Sequence, residues 1–176
     1  RSAAASRVAK RRSGSGSSGL FLTVLFPHDQ VQILAYNRAV RDLNGQSPEE
    51  FLAALGQAFD IEDSGQAKPG GKHEICLCLG GRWRTLRPKA GSIDPDDPIK
   101  QLDVSILQDQ ALAPLLGIDD PRTSKRIAFV GGIRGTGELE KLVDSGVFAC
   151  AFSLSPTSIG DLMRIADGGG IMPPKS

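Results

Sequence analysis

The residues best suited to chemistry lie in Gly131-Gly132-Ile133-Arg134-Gly135-Thr136-Gly137, between an apolar run and an amphipathic one. Glycines let backbone N–H groups approach an anion, a following helix start adds a positive dipole end, and Arg134 can fork onto phosphate or carboxylate oxygens. The spacing matches neither Gly-x-x-x-x-Gly-Lys-Ser/Thr nor Gly-x-Gly-x-x-Gly, so a plain tight turn stands beside the anion site as a reading. A second candidate is Gly168-Gly169-Gly170-Ile171-Met172-Pro173-Pro174-Lys175-Ser176. There a rigid proline pair would hold Lys175 as a point charge for phosphate and Ser176 as a ligand or cap, with a solvated loop as the alternative. The third is Tyr36-Asn37-Arg38, read as the polar end of a strand; Arg38 could equally pair with Asp42 four residues on. Asp103 reads as a helix cap rather than a base.

Other chemistries find little support. The two histidines, His28 and His73, both fall in loops, and neither a Ser-His-Asp arrangement nor His-Glu-x-x-His occurs. Cys76 and Cys78 share a strand face and could hold a metal with His73, but no second pair follows at ligand spacing. These thiols and Cys150 therefore read as small core hydrophobes, which fits a cytoplasmic protein.

These groups need elements to position them. Residues 2–12 are Ala-rich with a basic end and read as a helix, closed by a Gly/Ser stretch at 13–19. Runs at 20–26 and 31–35 flank Pro27-His28-Asp29-Gln30 and read as a β-hairpin. Ser47 should cap a helix with Pro48 at its first position and Phe51, Leu52, Leu55 and Phe59 as its apolar stripe. A second hairpin is expected at 74–79 and 83–86 around Gly80-Gly81-Arg82. A long helix follows over 102–116, with Pro114 bending its last turn and Gly117 stopping it.

The final third alternates strand 126–130, the glycine loop, helix 138–145, strand 147–154 and helix 157–167, with Ile159, Leu162, Met163 and Ala166 inward. That is the pattern of a parallel βαβ unit. The expected fold class is α/β: a mixed sheet with N-terminal hairpins and a C-terminal βαβα unit. In domain terms, residues 1–19 form a helix and loop, 20–63 a hairpin and helix, and 73–176 a hairpin, long helix and βαβα unit.

Twenty-one basic against 20 acidic residues leave a formal net charge of +1, and 40% of residues are hydrophobic. That composition is globular and offers no overall field for nucleic acid or an anionic membrane, so any anion site must be local. The longest apolar run is too short to cross a bilayer. The chain begins at Arg1, already in helical sequence, and stops after Pro174-Lys175, so it reads as an internal fragment.

Taken in order, several segments resemble the domain-of-unknown-function 1015 family. They are Arg1-Ser2-Ala3-Ala4-Ala5, Ile33-Leu34-Ala35-Tyr36-Asn37-Arg38, Leu102-Asp103-Val104-Ser105-Ile106-Leu107 and Leu115-Leu116-Gly117-Ile118. Three more follow: Phe129-Val130-Gly131-Gly132-Ile133-Arg134-Gly135, Leu142-Val143-Asp144-Ser145-Gly146 and Met172-Pro173-Pro174-Lys175-Ser176. In that family Asp-Gly-His-His typically precedes the position of Arg1. That turn is similar to the phosphate-binding turn of the ParB/sulfiredoxin-like superfamily, whose members include free-serine kinases. The resemblance implies a phosphotransferase on free serine or a similar small hydroxyl substrate, with ATP, ADP or polyphosphate as donor and Mg as helper. The expected phosphate- and substrate-binding set is Arg1, Tyr36, Asn37, Arg38, Gly131, Gly132, Arg134, Lys175 and Ser176, of which only Arg1 is carried over from the family's turn. The aspartate and both histidines of the turn are absent here, so the fragment itself is expected to be inactive. The alternative is a non-enzymatic phosphate- or nucleotide-binding, ParB-like regulator. The expected partner is a small-molecule substrate, with no membrane; a ParB-like regulator could touch DNA, but the near-neutral charge argues against extended nucleic-acid contact.

Overall fold

A computed structural model describes residues 2–173. Arg1, Lys175 and Ser176 of the expected site lie outside the described residues. The chain divides into two units, residues 1–32 and 33–176.

In the first unit, helix α1 (Ser2–Arg11) buries no residue, so alanine propensity and the basic last turn of Lys10 and Arg11 sustain it. The hairpin expected over 20–35 does not form. Residues 20–27 are irregular, a 3-10 turn spans His28–Gln30, and Leu20, Leu22, Leu25 and Phe26 stay exposed. Apart from Thr23 the 20–26 run is apolar rather than alternating, so it has no solvent face to set a hairpin register.

In the second unit the strands are β1 (Tyr36–Val40), β2 (Phe59–Glu62), β3 (Ile75–Leu79), β4 (Arg82–Pro88), β5 (Ile127–Gly131) and β6 (Cys150–Leu154). They form a six-stranded sheet in the order β2-β4-β3-β6-β1-β5, and each neighbouring pair is antiparallel. The α/β class holds, but the C-terminal β-α-β unit is split. β5 and β6 run parallel to each other with β1 inserted between them, so each bonds to β1 instead of to the other. The β3–β4 hairpin forms as expected, with Gly80 and Gly81 at φ of +59° and +71° in its turn.

Side chains alternate across the sheet. Ile75, Leu77, Phe152, Leu154 and Val40 pack beneath α2 (Pro48–Ala58) and α3 (Asp103–Leu107). Cys76, Cys78, Ala39, Ala151 and Val130 pack against Leu139 and Val143 of α4 (Gly137–Asp144). Both faces are thus covered, which explains why β3 reads as an unbroken apolar run and β6 as one broken only by Ser153. Trp83 ties β4 to α4 by donating its indole N–H to Glu140 Oε1 at 2.7 Å.

The capping of α2 is as expected and complete. Ser47 Oγ accepts the Glu50 N–H, and Glu50 Oε2 accepts the Ser47 N–H at 2.8 Å. Phe59, expected on that helix, instead opens β2. The long helix expected over 102–116 is α for only its first turns and becomes a π turn over Gln108–Leu112. Pro114 has no N–H to give the Gln110 carbonyl and its ring crowds that oxygen. The ladder therefore shifts to wider bonds, Ala113 N–H to Gln108 O at 3.0 Å and Leu116 N–H to Ala111 O at 3.2 Å. Gly117, at φ +62°, ends the segment. On α5 (Ile159–Asp167) the buried residues are Asp161 and Ile165, whereas the expected inward residues Leu162 and Met163 are exposed. Among the described residues no helix is long and apolar enough to cross a membrane.

Candidate functional site

β6 ends at Leu154 in the middle of the sheet, and the chain then turns through residues 155–158 into α5. Asn37 of β1, only 2% exposed, fixes that exit: its Oδ1 accepts the Leu154 N–H at 3.1 Å. Ser155 Oγ donates to Gly71 O at 2.6 Å, tying the exit to the loop before β3. Ser158 caps α5, its Oγ accepting the Asp161 N–H at 3.0 Å and donating to Asp161 Oδ2 at 2.8 Å.

A cleft of about 530 Å³ opens over this turn, lined by Gly70, Lys72, Asp103, Ser158, Asp161 and Arg164 among others. Ser158 and Asp161 place the start of α5, and with it the positive end of the helix dipole, on its wall. Lys72 Nζ lies 2.9 Å from Asp161 Oδ1, and Arg164 adds a contact of 3.5 Å to the same oxygen. Burial works against the Asp161 charge, but the bonds from Lys72 and Ser158 outweigh it and hold the carboxyl below the usual range.

Asp103 has the opposite environment. It sits at the first helical position of α3 with Leu102 at the cap position, so the expected capping role is not the one it plays. Its Oδ1 accepts the His73 N–H at 2.9 Å, and His73, at φ +66°, turns its Nε2 to within 3.1 Å of Gln101 O. Burial pushes the Asp103 carboxyl up to about 6. Backbone bonding from His73 and the charge of Lys72 resist this rise, while Asp161 assists it. Two carboxyls in one cleft are thus driven apart by their surroundings.

A narrower cleft of about 220 Å³ shares Pro69, Ser155 and Pro156 with the first and reaches Asn37, Gly132 and Thr136. Here the glycine loop has a physical reason: Gly132 donates its N–H to Ala35 O at 2.7 Å, and a Cβ there would stand 2.8 Å from that oxygen. Gly131 closes β5 opposite Tyr36. Arg134, by contrast, lies on the surface and meets Glu138 at 3.8 Å, lining neither cleft.

Tyr36-Asn37-Arg38 begins β1 instead of ending a strand, and its side chains alternate across the sheet. Asn37 borders the narrow cleft, while Arg38 lines a separate cavity of about 480 Å³ beside Ser105 and Gln108. The Arg38 guanidinium stacks 4.4 Å from the Phe129 ring centre and donates to the Tyr36 carbonyl. Burial lowers Arg38 to about 10, which leaves it charged at neutral pH. Asp42, the other expected partner of Arg38, binds Arg126 instead, at 2.9 Å from its Nε. Cys76 and Cys78 are buried on the α4 side of the sheet, where desolvation raises both thiols to about 11.

Of the expected residues, the fold brings Asn37 and Gly132 to the edge of one site and sends Arg38 and Arg134 elsewhere. The residues that line the larger cleft, Lys72, Asp103, Ser158, Asp161 and Arg164, were not singled out as its ligands. Only Ser158-x-x-Asp161 after a strand carried a local signal, that of a capped helix start.

An antiparallel sheet covered by helices on both faces, with a polar cleft where the central strand exits, defines a layered α/β protein with a small-molecule-sized site. The chain belongs to the family described as "Protein of unknown function (DUF1015)", whose model matches residues 1–105. No curated protein matches. Among solved structures it is similar to a free serine kinase variant in complex with AMP, at 12% identity and a TM-score of 0.50, covering 88% of this chain and 56% of that one. A second variant of free serine kinase with AMP gives 12% identity and a TM-score of 0.47 over 84% of this chain and 53% of that one. The chain therefore spans little more than half the length of the structures it matches, and at this identity the likeness is one of fold.

Proposed function

We propose that this chain supplies the phosphate-handling cleft of a phosphotransferase acting on a small hydroxyl substrate, with free serine the first acceptor to try. The observation that carries this reading is the cleft at the start of α5, where Lys72 and Arg164 stand with Ser158 and Asp161 beside the helix N-terminus. Asp161 and Asp103 balance the two cations in formal charge, so Lys72, Arg164 and the positive end of the α5 dipole are the groups left to meet an incoming phosphate. Phosphoryl transfer asks chiefly for positioning and charge stabilisation, which such a set provides. The shared fold and the AMP held by that free serine kinase support a nucleotide as the ligand. In this reading Lys72 and Arg164, beside the positive end of the α5 dipole, hold its phosphates, and the narrow cleft between Pro69, Pro156 and Gly132 accommodates the rest.

Magnesium finds no ligand set of three or more acidic, His or Cys groups among the described residues, and Asp161 is already engaged by Lys72 and Ser158. A metal would enter on the nucleotide phosphates, as magnesium commonly does.

The test is to incubate the full-length protein with serine, a magnesium salt and ATP, ADP or polyphosphate, and to look for phosphoserine. Product with one donor is the expected result, and none with any donor sinks the enzymatic reading. AMP binding by the 176-residue chain, measured calorimetrically, should weaken about tenfold in Lys72→Ala. Binding without turnover by the full-length protein would point to the regulatory alternative.

A further inference from the structure

Asp103 is a group the phosphate-holding role of the cleft does not use. It is 7% exposed, lines the same cavity as Lys72 and Arg164, and forms no ion pair with any described residue. Asp161, across the same space, is bonded by Lys72 and Ser158 and is committed to holding the start of α5. Asp103 instead accepts one backbone N–H, from His73, through one oxygen. That single bond fixes the direction of the carboxylate and leaves its acceptor capacity largely unspent, since an ionised carboxylate offers about four lone-pair sites. The His73 backbone is held in the left-handed region to make the bond, and its ring is anchored on Gln101 O.

We infer that Asp103 is the catalytic base of the phosphotransfer reaction, taking the proton from the acceptor hydroxyl as it attacks the phosphoryl group held at the start of α5. The assignment rests on the phosphotransferase reading. In the step the acceptor O–H bond breaks and its proton goes to an Asp103 carboxylate oxygen. The acceptor oxygen forms the new O–P bond, the P–O bond to the donor nucleotide breaks, and its electron pair stays with the departing nucleotide phosphate. Asp103 then returns the proton to water. The charged and titratable groups facing it are Lys72 and His73 from the loop before β3, and Asp161 from α5. With its proton affinity raised by burial to about 6, Asp103 is ionised at pH 7 yet more basic than an exposed carboxylate, as a general base requires.

The experiment compares wild type and Asp103→Asn in the full-length protein, following phosphoserine formation between pH 5 and 8 and calorimetric AMP binding. Asparagine keeps an oxygen for the His73 N–H, so a merely structural role survives the change. The expected result is a wild-type rate that rises about tenfold per pH unit below pH 6 and then levels. The variant should lose at least about 100-fold in rate with its pH dependence flattened, while AMP affinity stays within about threefold. Transfer that persists in the variant with the same pH profile overturns the assignment of Asp103 alone. Absence of transfer by wild type with every donor overturns the phosphotransferase reading and the assignment together. Loss of AMP binding in the variant shows that Asp103 holds the nucleotide, and likewise overturns its role as base.

Discussion

Asp103 and Asp161 have the same side chain in the same cleft and opposite fates. Asp161 accepts from Lys72 and Ser158 and gives its own N–H to Ser158 Oγ, whereas Asp103 is desolvated with one backbone donor. This has a consequence for stability. The folded-state carboxyl of Asp103, at about 6, binds its proton more tightly than an unfolded one near 3.8. Its favourable contribution is complete below pH 3.8 and is lost as pH rises through 6, where the buried group must ionise. Asparagine mimics the protonated form, so Asp103→Asn should stabilise the fold by on the order of 2–3 kcal/mol at pH 8. That gain should vanish below pH 4. Urea denaturation of both chains at the two pH values checks this, and a gain equal at both would refute the burial account. A carboxylate kept at such a cost is characteristic of functional sites.

At the scale of elements, local chemistry decides where it is self-contained. Ser47-Pro48-Glu49-Glu50 carries its own instructions, and the reciprocal bonds between Ser47 and Glu50 carry them out. Ser47→Ala removes one of them and should cost about 1 kcal/mol, read as a lower denaturant midpoint with unchanged m-value. Pro114 shows the reverse case. Its missing N–H predicts a bend, but whether the chain stops, kinks or widens depends on what the helix packs on. Leu107, Ala111, Leu112 and Leu116 all reach the core, and the wider π turn keeps them there. On α5, apolar spacing points to Leu162 and Met163, yet the buried face is Asp161 and Ile165. A buried, bonded aspartate is invisible to an apolar pattern. The same limit applies at 20–26, where apolar content suggests a strand and no partner is supplied.

For the molecule as a whole, the sheet is held from its centre. Phe152 of β6 is fully buried, pairs in register with Arg38 on one side and Leu77 on the other, and belongs to the core beneath α2 and α3. Phe152→Ala should cost roughly 3–5 kcal/mol, measured by denaturant unfolding of the 176-residue chain. A loss below 1 kcal/mol would mean that this core can close over the gap. β6 is also the strand whose exit builds the cleft, so under the proposed function the same variant should weaken AMP binding, through a displaced Ser155–Ser158 turn rather than a lost contact.

The α/β class, the capped α2, the β3–β4 hairpin, the stop at Gly117 and the membership carried by ordered segments all follow from the chain read by itself. The cap, the hairpin and the stop depend on residues within a turn or two of one another, where backbone preference and side-chain periodicity act directly. The order of the strands does not follow from local signals, and neither does the insertion of β1 between β5 and β6, because pairing joins residues about ninety to a hundred and ten positions apart. The candidate site belongs to this second kind. Lys72, Asp103 and Asp161 are unremarkable where they stand in sequence. They become a site only because the sheet brings the start of β3, the start of α3 and the end of β6 to one place. Tertiary placement there, which no spacing encodes, gives one of the two aspartates an ion-pair partner and leaves the other desolvated.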